Sequence, residues 1–278
     1  MKKLIISFVL LSITLSSFSQ QIPDSAYLQI TYLEDFVRNI DNPKKKTLDE
    51  LVLNIGKFSS EFYSLREDRV KQITDSILKS GKNAYDAREA ISEYPRSHQK
   101  YRVYKNVPSI GELTYINQIF AYYQYKENLE KPAWEPLSAK KEIQGYMCQK
   151  AVANFKGRKW TAWYTNDIPI SDGPWKLCGL PGLILDAVDS DSLYHFYCVG
   201  IKELKHKTQI KILKEKYVMC TNKELYKISK EAIENPIGYL KSQPGILSVS
   251  LTGPDGRPAK PNITKYIDME AEPIKKIE

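Results

Sequence analysis

Alternating apolar and polar residues recur along the chain and predict strands. In residues 27–38, Leu28, Ile30 and Tyr32 alternate with polar neighbours, which is the period-two pattern of a strand with one buried face. Similar runs follow over residues 51–55, 58–65, 101–105, 112–117, 119–126, 142–155, 158–165, 183–188, 193–199 and 207–219. Lys156-Gly157 lies between two of these runs and indicates a tight hairpin turn. The pattern predicts nine or ten strands.

Two segments change to the helical period. Residues 66–80 carry Val70, Ile73 and Ile77 on one stripe, and Gly81 is a typical residue just after a helix end. Residues 221–224 have the form of a capping box, which predicts a second helix that Pro236 ends. No strand–helix–strand alternation is present. The sequence therefore predicts an α+β fold, predominantly antiparallel β, with a curled sheet and one or two covering helices.

The N-terminus has the three parts of a secretory signal peptide. Lys2 and Lys3 precede an apolar run over residues 4–15, and Ser17-Phe18-Ser19 is a small-x-small cleavage site. We therefore expect residues 1–19 to be removed and the protein to be exported to the periplasm or the outer-membrane periphery. No membrane span is expected after cleavage, because no second long apolar run follows.

The rest of the chain is predicted to form one β-rich domain over residues 20–241. From residue 242 the sequence becomes rich in Pro and Gly, which predicts a peripheral C-terminal tail over 242–278. The net charge is +8, but the lysines are spread along the chain. This distribution is typical of a solvated surface, and no nucleic-acid partner is expected.

The four cysteines lie in the second half of the chain. After export they allow three disulfide pairings or remain as free buried thiols, and the sequence does not decide between these possibilities. No CxxC is present and the three histidines are scattered, so neither a metal site nor a cofactor is predicted. The cysteines are Cys148, Cys178, Cys198 and Cys220.

One segment, residues 173–186, combines glycines and prolines with large apolar side chains. Gly179 and Gly182 allow a close backbone approach or a positive φ, and Pro181 fixes its own φ. We expect a sharp, rigid turn that leads into the strand from Leu183 and holds Trp175 over the sheet.

This segment carries a family resemblance. Residues 179–184 have the sequence Gly-Leu-Pro-Gly-Leu-Ile, and further motifs lie upstream at 145–151, 162–165 and 173–176. The chain thus resembles the GLPGLI family over roughly 27–205, most strongly over 142–190. The resemblance implies an exported protein of Bacteroidota, of a family often encoded near TonB-dependent outer-membrane receptors. It implies no catalytic residue. Three Asp-Ser-apolar sequences, at Ser25, Ser76 and Ser192, match the O-glycan acceptor pattern of that lineage.

The aromatic and motif residues have two interpretations. They line a concave binding surface, or they form the hydrophobic core, which is the preferred interpretation. These residues are Trp160, Trp163, Tyr164, Trp175, Gly179, Leu180, Pro181, Gly182, Leu183 and Ile184. Arg158 is expected to face solvent after the hairpin turn, or alternatively to clamp a carboxylate near the motif.

Catalytic candidates are weak. Ser97 precedes His98, but this adjacency alone does not indicate a catalytic pair, and His195 is better explained as a partly buried histidine of a strand. Four aspartates around the motif are better explained as turn and cap residues. The aspartates are Asp167, Asp172, Asp186 and Asp189. The expected function is an exported binding or accessory protein with an outer-membrane receptor as its candidate partner. The alternative is a carrier of an apolar ligand (lipid, lipoprotein or peptide), a hydrolytic enzyme ranks third, and the oligomeric state stays open.

Overall fold

The computed structural model describes residues 24–95, 97–246, 248–250, 257, 260 and 264–270. The strands are β1 Asp24–Val37, β2 Lys46–Ile55, β3 Ser60–Ser64, β4 Tyr101–Lys105, β5 Glu112–Gln118, β6 Tyr122–Asn128, β7 Glu135–Ile143, β8 Tyr146–Phe155, β9 Arg158–Thr165, β10 Leu183–Asp189, β11 Tyr194–Ile210 and β12 Tyr217–Met219. The helices are α1 Leu65–Lys79, α2 Ala84–Ala90, α3 Asn222–Glu234 and α4 Pro236–Lys241. The predicted signal peptide lies outside the described residues. None of the described helices is long and apolar enough to cross a membrane.

All twelve described strands belong to one open sheet, in the order β12-β6-β5-β4-β3-β2-β1-β11-β10-β9-β8-β7. Neighbouring strands are antiparallel except β12 and β6, which are parallel. The predominantly antiparallel fold is therefore confirmed. The predicted nine or ten strands and one or two helices are too few, since the described chain has twelve strands and four helices.

The additional edge strand comes from a turn that the alternation pattern hides. Gln144 and Gly145 have φ of 51° and 81°, so they form a tight turn between β7 and β8 inside the single strand predicted for 142–155. Strand β7 is polar and mostly exposed, because it is an edge of the sheet. A strand with two solvated sides shows no alternation, so the sequence pattern does not indicate where β7 begins.

Strand β11 replaces two separate predicted strands. Residues 193–199 and the first part of 207–219 form one continuous strand that pairs with β1 along its length, with two register shifts. On its other side β11 pairs with β10 only over residues 195–197. Within the described chain, no strand pairs with this side of β11 beyond that point.

The sheet curls strongly around its apolar face. Phe62 on β3 and Phe196 on β11 are three strand spacings apart, which is about 14 Å in a flat sheet. Their ring centroids are 6.0 Å apart, and Trp160 on β9 stacks on Phe196 from the other direction at 6.3 Å. The two halves of the sheet therefore share one hydrophobic core.

The helix boundaries follow local capping chemistry. The Ser64 hydroxyl accepts a hydrogen bond from Glu67 N–H at the start of α1, and the capping box between Thr221 and Glu224 starts α3 as predicted. Pro236 follows the end of α3 but also begins α4, because proline fits the first helical position, where its missing N–H costs nothing.

All four cysteines are free thiols. Burial raises the pKa of Cys148 and of Cys198 to about 11, whereas Cys220 is only half-buried. At pH 8 a thiol of that pKa is thiolate in roughly one molecule in a thousand, and the thiolate is the reactive form.

We therefore expect iodoacetamide to label Cys220 first in the folded protein, and Cys148 and Cys198 only after unfolding. Peptide mass spectrometry with and without urea measures this order. Fast labelling of Cys148 or Cys198 in the folded state would contradict it, as would a mass showing a disulfide.

Candidate functional site

The GLPGLI hexapeptide and its aromatic neighbours are part of the hydrophobic core. Trp175 has no exposed surface and packs against Trp160 and Phe155, with ring centroids 5.9 and 6.0 Å apart. Most of the other predicted binding residues are buried with it, namely Tyr164, Leu180, Gly182, Leu183 and Ile184. Pro181 is exposed, and Trp163 and Gly179 are half-buried. The segment over residues 173–184, the motif segment, thus fills the curled sheet.

Two buried lysines fix the motif segment in the sheet. Lys105 on β4 forms an ion pair with Asp172 and donates to the carbonyl oxygens of Gly173 and Leu177. Lys176, within the segment, donates to the Tyr125 hydroxyl and pairs with two carboxylates, those of Glu127 and Glu270. Because these cations are almost fully buried, their ion pairs specify one position of the segment.

Arg158 does not face solvent, so that expectation is wrong. Its Nη1 pairs with Asp189 at 2.9 Å, and both side chains are at most 1% exposed. Its Nε and Nη2 donate to the carbonyl oxygens of Met269 and Asp268 at 3.1 and 2.6 Å. Arg158 is the first residue of β9, directly after the two-residue turn at 156–157. Along β9 the even-numbered side chains, beginning with Arg158, face the core, and most of the odd-numbered ones are more exposed. Arg158 therefore clamps a carboxylate, as the alternative interpretation proposed, and also holds the chain near its C-terminus.

The catalytic candidates do not form a nucleophile with its base. His195 Nε2 lies 3.2 Å from Asp186 Oδ1, and no hydroxyl or thiol of the described residues bonds to that imidazole. Burial opposes ionisation of Asp186, but hydrogen bonds from His195 and Lys141 bring its pKa below the usual value. Asp172 and Asp189 are engaged by Lys105 and Arg158, and Asp167 is exposed. The described residues contain no cluster that could hold a metal ion.

A cavity lies elsewhere, at the end of the sheet where β1 finishes. It measures about 390 Å³ and is lined by four tyrosines, so we call it the tyrosine cavity. Tyr101 and Tyr115 stack with centroids 5.8 Å apart, and Tyr194 stacks on Phe36 at 6.4 Å. The fourth tyrosine is Tyr266. Aromatic rings therefore form part of the wall, beside polar side chains such as Asn117 and Gln118, which suits a ligand with a flat or apolar body and some polar groups.

The wall is assembled from six separate parts of the chain. They are the end of β1, the loop and first residue of β4 over 97–101, the end of β5, the start of β11, helix α3 and residues 264–269. The buried carboxylate of Asp49 fixes the loop, because it accepts hydrogen bonds from the backbone N–H groups of His98 and Gln99 at 2.7 and 2.8 Å. The position of this wall is therefore set by the core.

Residues 264–270, the C-terminal segment, form the remaining wall. The sequence assigns them to a peripheral tail, yet Met269 is buried and packs in the main core. The Tyr194 hydroxyl donates to the Ile267 carbonyl, and the Tyr266 N–H donates to Glu234 on α3. Together with the Arg158 bonds, these contacts hold the segment across the cavity.

The four tyrosines of the cavity are uncharged. Burial raises the pKa of Tyr101, Tyr115, Tyr194 and Tyr266, so all four phenols are neutral at physiological pH. Asp268 also lines the cavity; burial raises its pKa, and its carboxylate accepts from the Tyr266 hydroxyl and the Glu270 N–H. The tyrosine part of the wall therefore favours an apolar or hydrogen-bonding ligand body over a charged one.

Three buried polar side chains close to this wall lack hydrogen-bond partners among the described residues. They are the Tyr101 hydroxyl, the Ser229 hydroxyl and the carboxyl of Glu34, which has no exposed surface. Burial raises the pKa of Glu34 well above its usual value. These polar atoms have almost no accessible surface, so a ligand in the cavity reaches them only if the wall rearranges.

The comparisons with known proteins give little functional information. A family described as "Protein of unknown function (Porph_ging)" matches residues 154–186. This match includes the GLPGLI hexapeptide. No curated protein sequence matches the chain.

Two solved structures, of PNGF-II in the P21 and C2 space groups, match with TM-scores of 0.49 and 0.46 at 16% and 17% identity. Each match covers 73% of this chain, and the chain spans about a third of their length, 33% and 32%. This similarity assigns the chain neither a family nor a function.

Proposed function

We propose that this protein binds a small ligand with an apolar body in the tyrosine cavity, as an exported binding protein of the cell envelope. The observation that carries the proposal is a cavity of about 390 Å³ whose wall includes the rings of four tyrosines. Ligand sites typically have volumes of roughly 300–1,000 Å³, mostly apolar walls and a few polar groups that fix orientation. The proposal keeps the apolar-ligand carrier but moves its site away from the motif segment, which fills the sheet.

Export to the periplasm or the outer-membrane periphery is part of the same proposal. It is supported by the predicted signal peptide over residues 1–19 and by the resemblance to an exported family. A binding protein in that compartment takes its ligand from the envelope, so the natural ligand should remain with protein that is purified gently from its host.

Ile233 provides a direct test, because it lines the cavity and is 39% exposed, which places it at the opening. Ile233→Trp should obstruct the opening and weaken ligand binding by about tenfold or more, since tenfold corresponds to roughly 1.4 kcal/mol. The measurement is native mass spectrometry of the mature protein from its host, with lipid extraction alongside. We expect an adduct of defined mass on the native protein and its loss from the variant.

Leu78→Trp is the matched control, since Leu78 is 46% exposed on α1 and does not line the cavity. It should keep the adduct. A bare native monomer, or equal adduct in the Ile233→Trp variant, would contradict a ligand site in the tyrosine cavity.

The unpaired side of β11 favours a second candidate function, an accessory role towards an outer-membrane receptor. Beyond residue 198 this side has no partner strand in the described chain, and it carries exposed Lys202, Lys205 and Lys207. An edge of this kind suits an extended acidic segment that adds a strand. Lysines also protect exposed sheet edges from uncontrolled pairing with other strands. Chemical crosslinking through Lys205 and Lys207 to a single outer-membrane receptor would support the accessory role, and the absence of such a crosslink would support the protective role alone.

A further inference from the structure

The opening of the tyrosine cavity is surrounded by cations from three separate parts of the chain. Arg38 follows the end of β1, Lys100 precedes β4 and Lys265 belongs to the C-terminal segment. All three side chains line the cavity and are exposed, while the tyrosines form its inner wall. Because these positions are far apart in sequence, their convergence is a property of the fold and not of one charged strand.

The acidic groups at this site are already bound by protein donors. Glu234 accepts from the Tyr266 N–H and lies 4.0 Å from Lys230 Nζ, and the Asp268 carboxylate accepts from Tyr266 and Glu270. In contrast, no carboxylate of the described residues forms an ion pair with the three cations, and Arg38 contacts the ring of His98. Lys100 lies near enough to Glu67 to lower its pKa, but none of the three cations has a carboxylate at ion-pair distance, so the opening carries more positive than negative side chains. The tyrosines of the wall are uncharged.

We propose that the ligand of the tyrosine cavity is an anionic amphiphile, whose apolar body packs on the tyrosines and whose carboxylate, phosphate or sulfate lies between Arg38, Lys100 and Lys265. This inference rests on the proposed function and adds the charge of the ligand to it. This orientation of the ligand follows from its two parts. Burial against the tyrosines stabilises the apolar chain, whereas the anionic group is more stable near water and the cations.

Three probes with the same twelve-carbon chain separate the contribution of the head group from that of the body. Dodecanoate, dodecanol and dodecylammonium are titrated at neutral pH, low salt and concentrations below micelle formation, by displacement of a neutral fluorescent probe. We expect dodecanoate to bind about tenfold more tightly than dodecanol, since exposed charge interactions are individually modest. Dodecylammonium should bind more weakly than dodecanol.

The double variant Lys100→Gln with Lys265→Gln should remove most of the preference for dodecanoate over dodecanol. The matched control is Lys205→Gln with Lys207→Gln, which removes the same charge from exposed residues of β11 that do not line the cavity. The control should keep the preference. Added salt should reduce the preference in the native protein by screening.

Each other outcome is decisive. Equal binding of dodecanoate and dodecanol would overturn the anionic ligand while the proposed function stands. Failure of all three probes to bind would overturn the proposed function for chain-like apolar ligands. A preference that falls equally in the β11 control would show a general effect of net charge and would overturn the assignment to the cavity opening.

Discussion

Gly182→Ala should lower the free energy of unfolding by about 3–5 kcal/mol, or prevent folding altogether. A Cβ at Gly182 would lie 1.9 Å from the Thr165 carbonyl oxygen and 2.6 Å from its carbonyl carbon. Both atoms belong to the backbone, so no side-chain rotation relieves the clash. Thr165 ends β9 and Leu183 pairs with it from β10, so the two strands must separate at the point where the motif segment enters the core.

Urea denaturation followed by tryptophan fluorescence measures this effect, because Trp160 and Trp175 are fully buried. Gly200→Ala on β11 is the matched control. Its Cβ would lie 3.8 Å from the nearest atom, at Thr31, and its φ lies outside the positive region, so the expected change is within about 0.5 kcal/mol. A Gly182→Ala protein as stable as the Gly200→Ala protein would show that the glycine is not required for packing.

The motif segment shows how far local sequence could predict this structure. The two glycines and Pro181 predicted a rigid turn, and Trp175 does lie over the sheet as expected, with a φ of 50°. The lysines that fix the segment were not predicted. Lys105 and Asp172 are 67 residues apart, and nothing in either local pattern indicates that the two meet.

The strands were predictable where one face is buried. The bounds predicted for β4 agree with the structure, and the turn at 156–157 has positive φ at both residues. Strand β7 was missed because neither side of a polar edge strand is buried. Strand β11 was divided because its second half is exposed on both faces and carries lysines instead of alternating side chains.

The tyrosine cavity could not be predicted, because no local pattern contains it. Tyr101 and Tyr266 line the same wall although 165 positions separate them in the chain. The abundance of tyrosine was the one available signal, but it is equally typical of half-buried strand faces. Several contacts of the C-terminal segment use its backbone carbonyls, which every sequence has, and its side-chain contacts at Met269 and Glu270 are with residues far away in the chain, so no local pattern in residues 264–270 predicted its docking.

Arg158→Ala should lower the free energy of unfolding by about 3–5 kcal/mol, because it leaves the fully buried Asp189 carboxylate without its partner. It also removes the two hydrogen bonds to the carbonyl oxygens of Met269 and Asp268. Lys159→Ala is the control, since Lys159 is the exposed neighbour on β9 and should change stability by no more than about 0.5 kcal/mol.

Two further variants divide the roles of Arg158. Arg158→Lys retains a positive charge for Asp189 but lacks the guanidinium fork that reaches the C-terminal segment, so hydrogen exchange should rise in residues 264–270 while the core stays protected. The double variant Arg158→Met with Asp189→Leu should be less destabilised than Arg158→Ala alone, since no unpaired charge stays buried. If Arg158→Ala proves as stable as Lys159→Ala, the buried pair does not hold the fold. If Arg158→Lys leaves exchange in the C-terminal segment unchanged, other contacts close the tyrosine cavity.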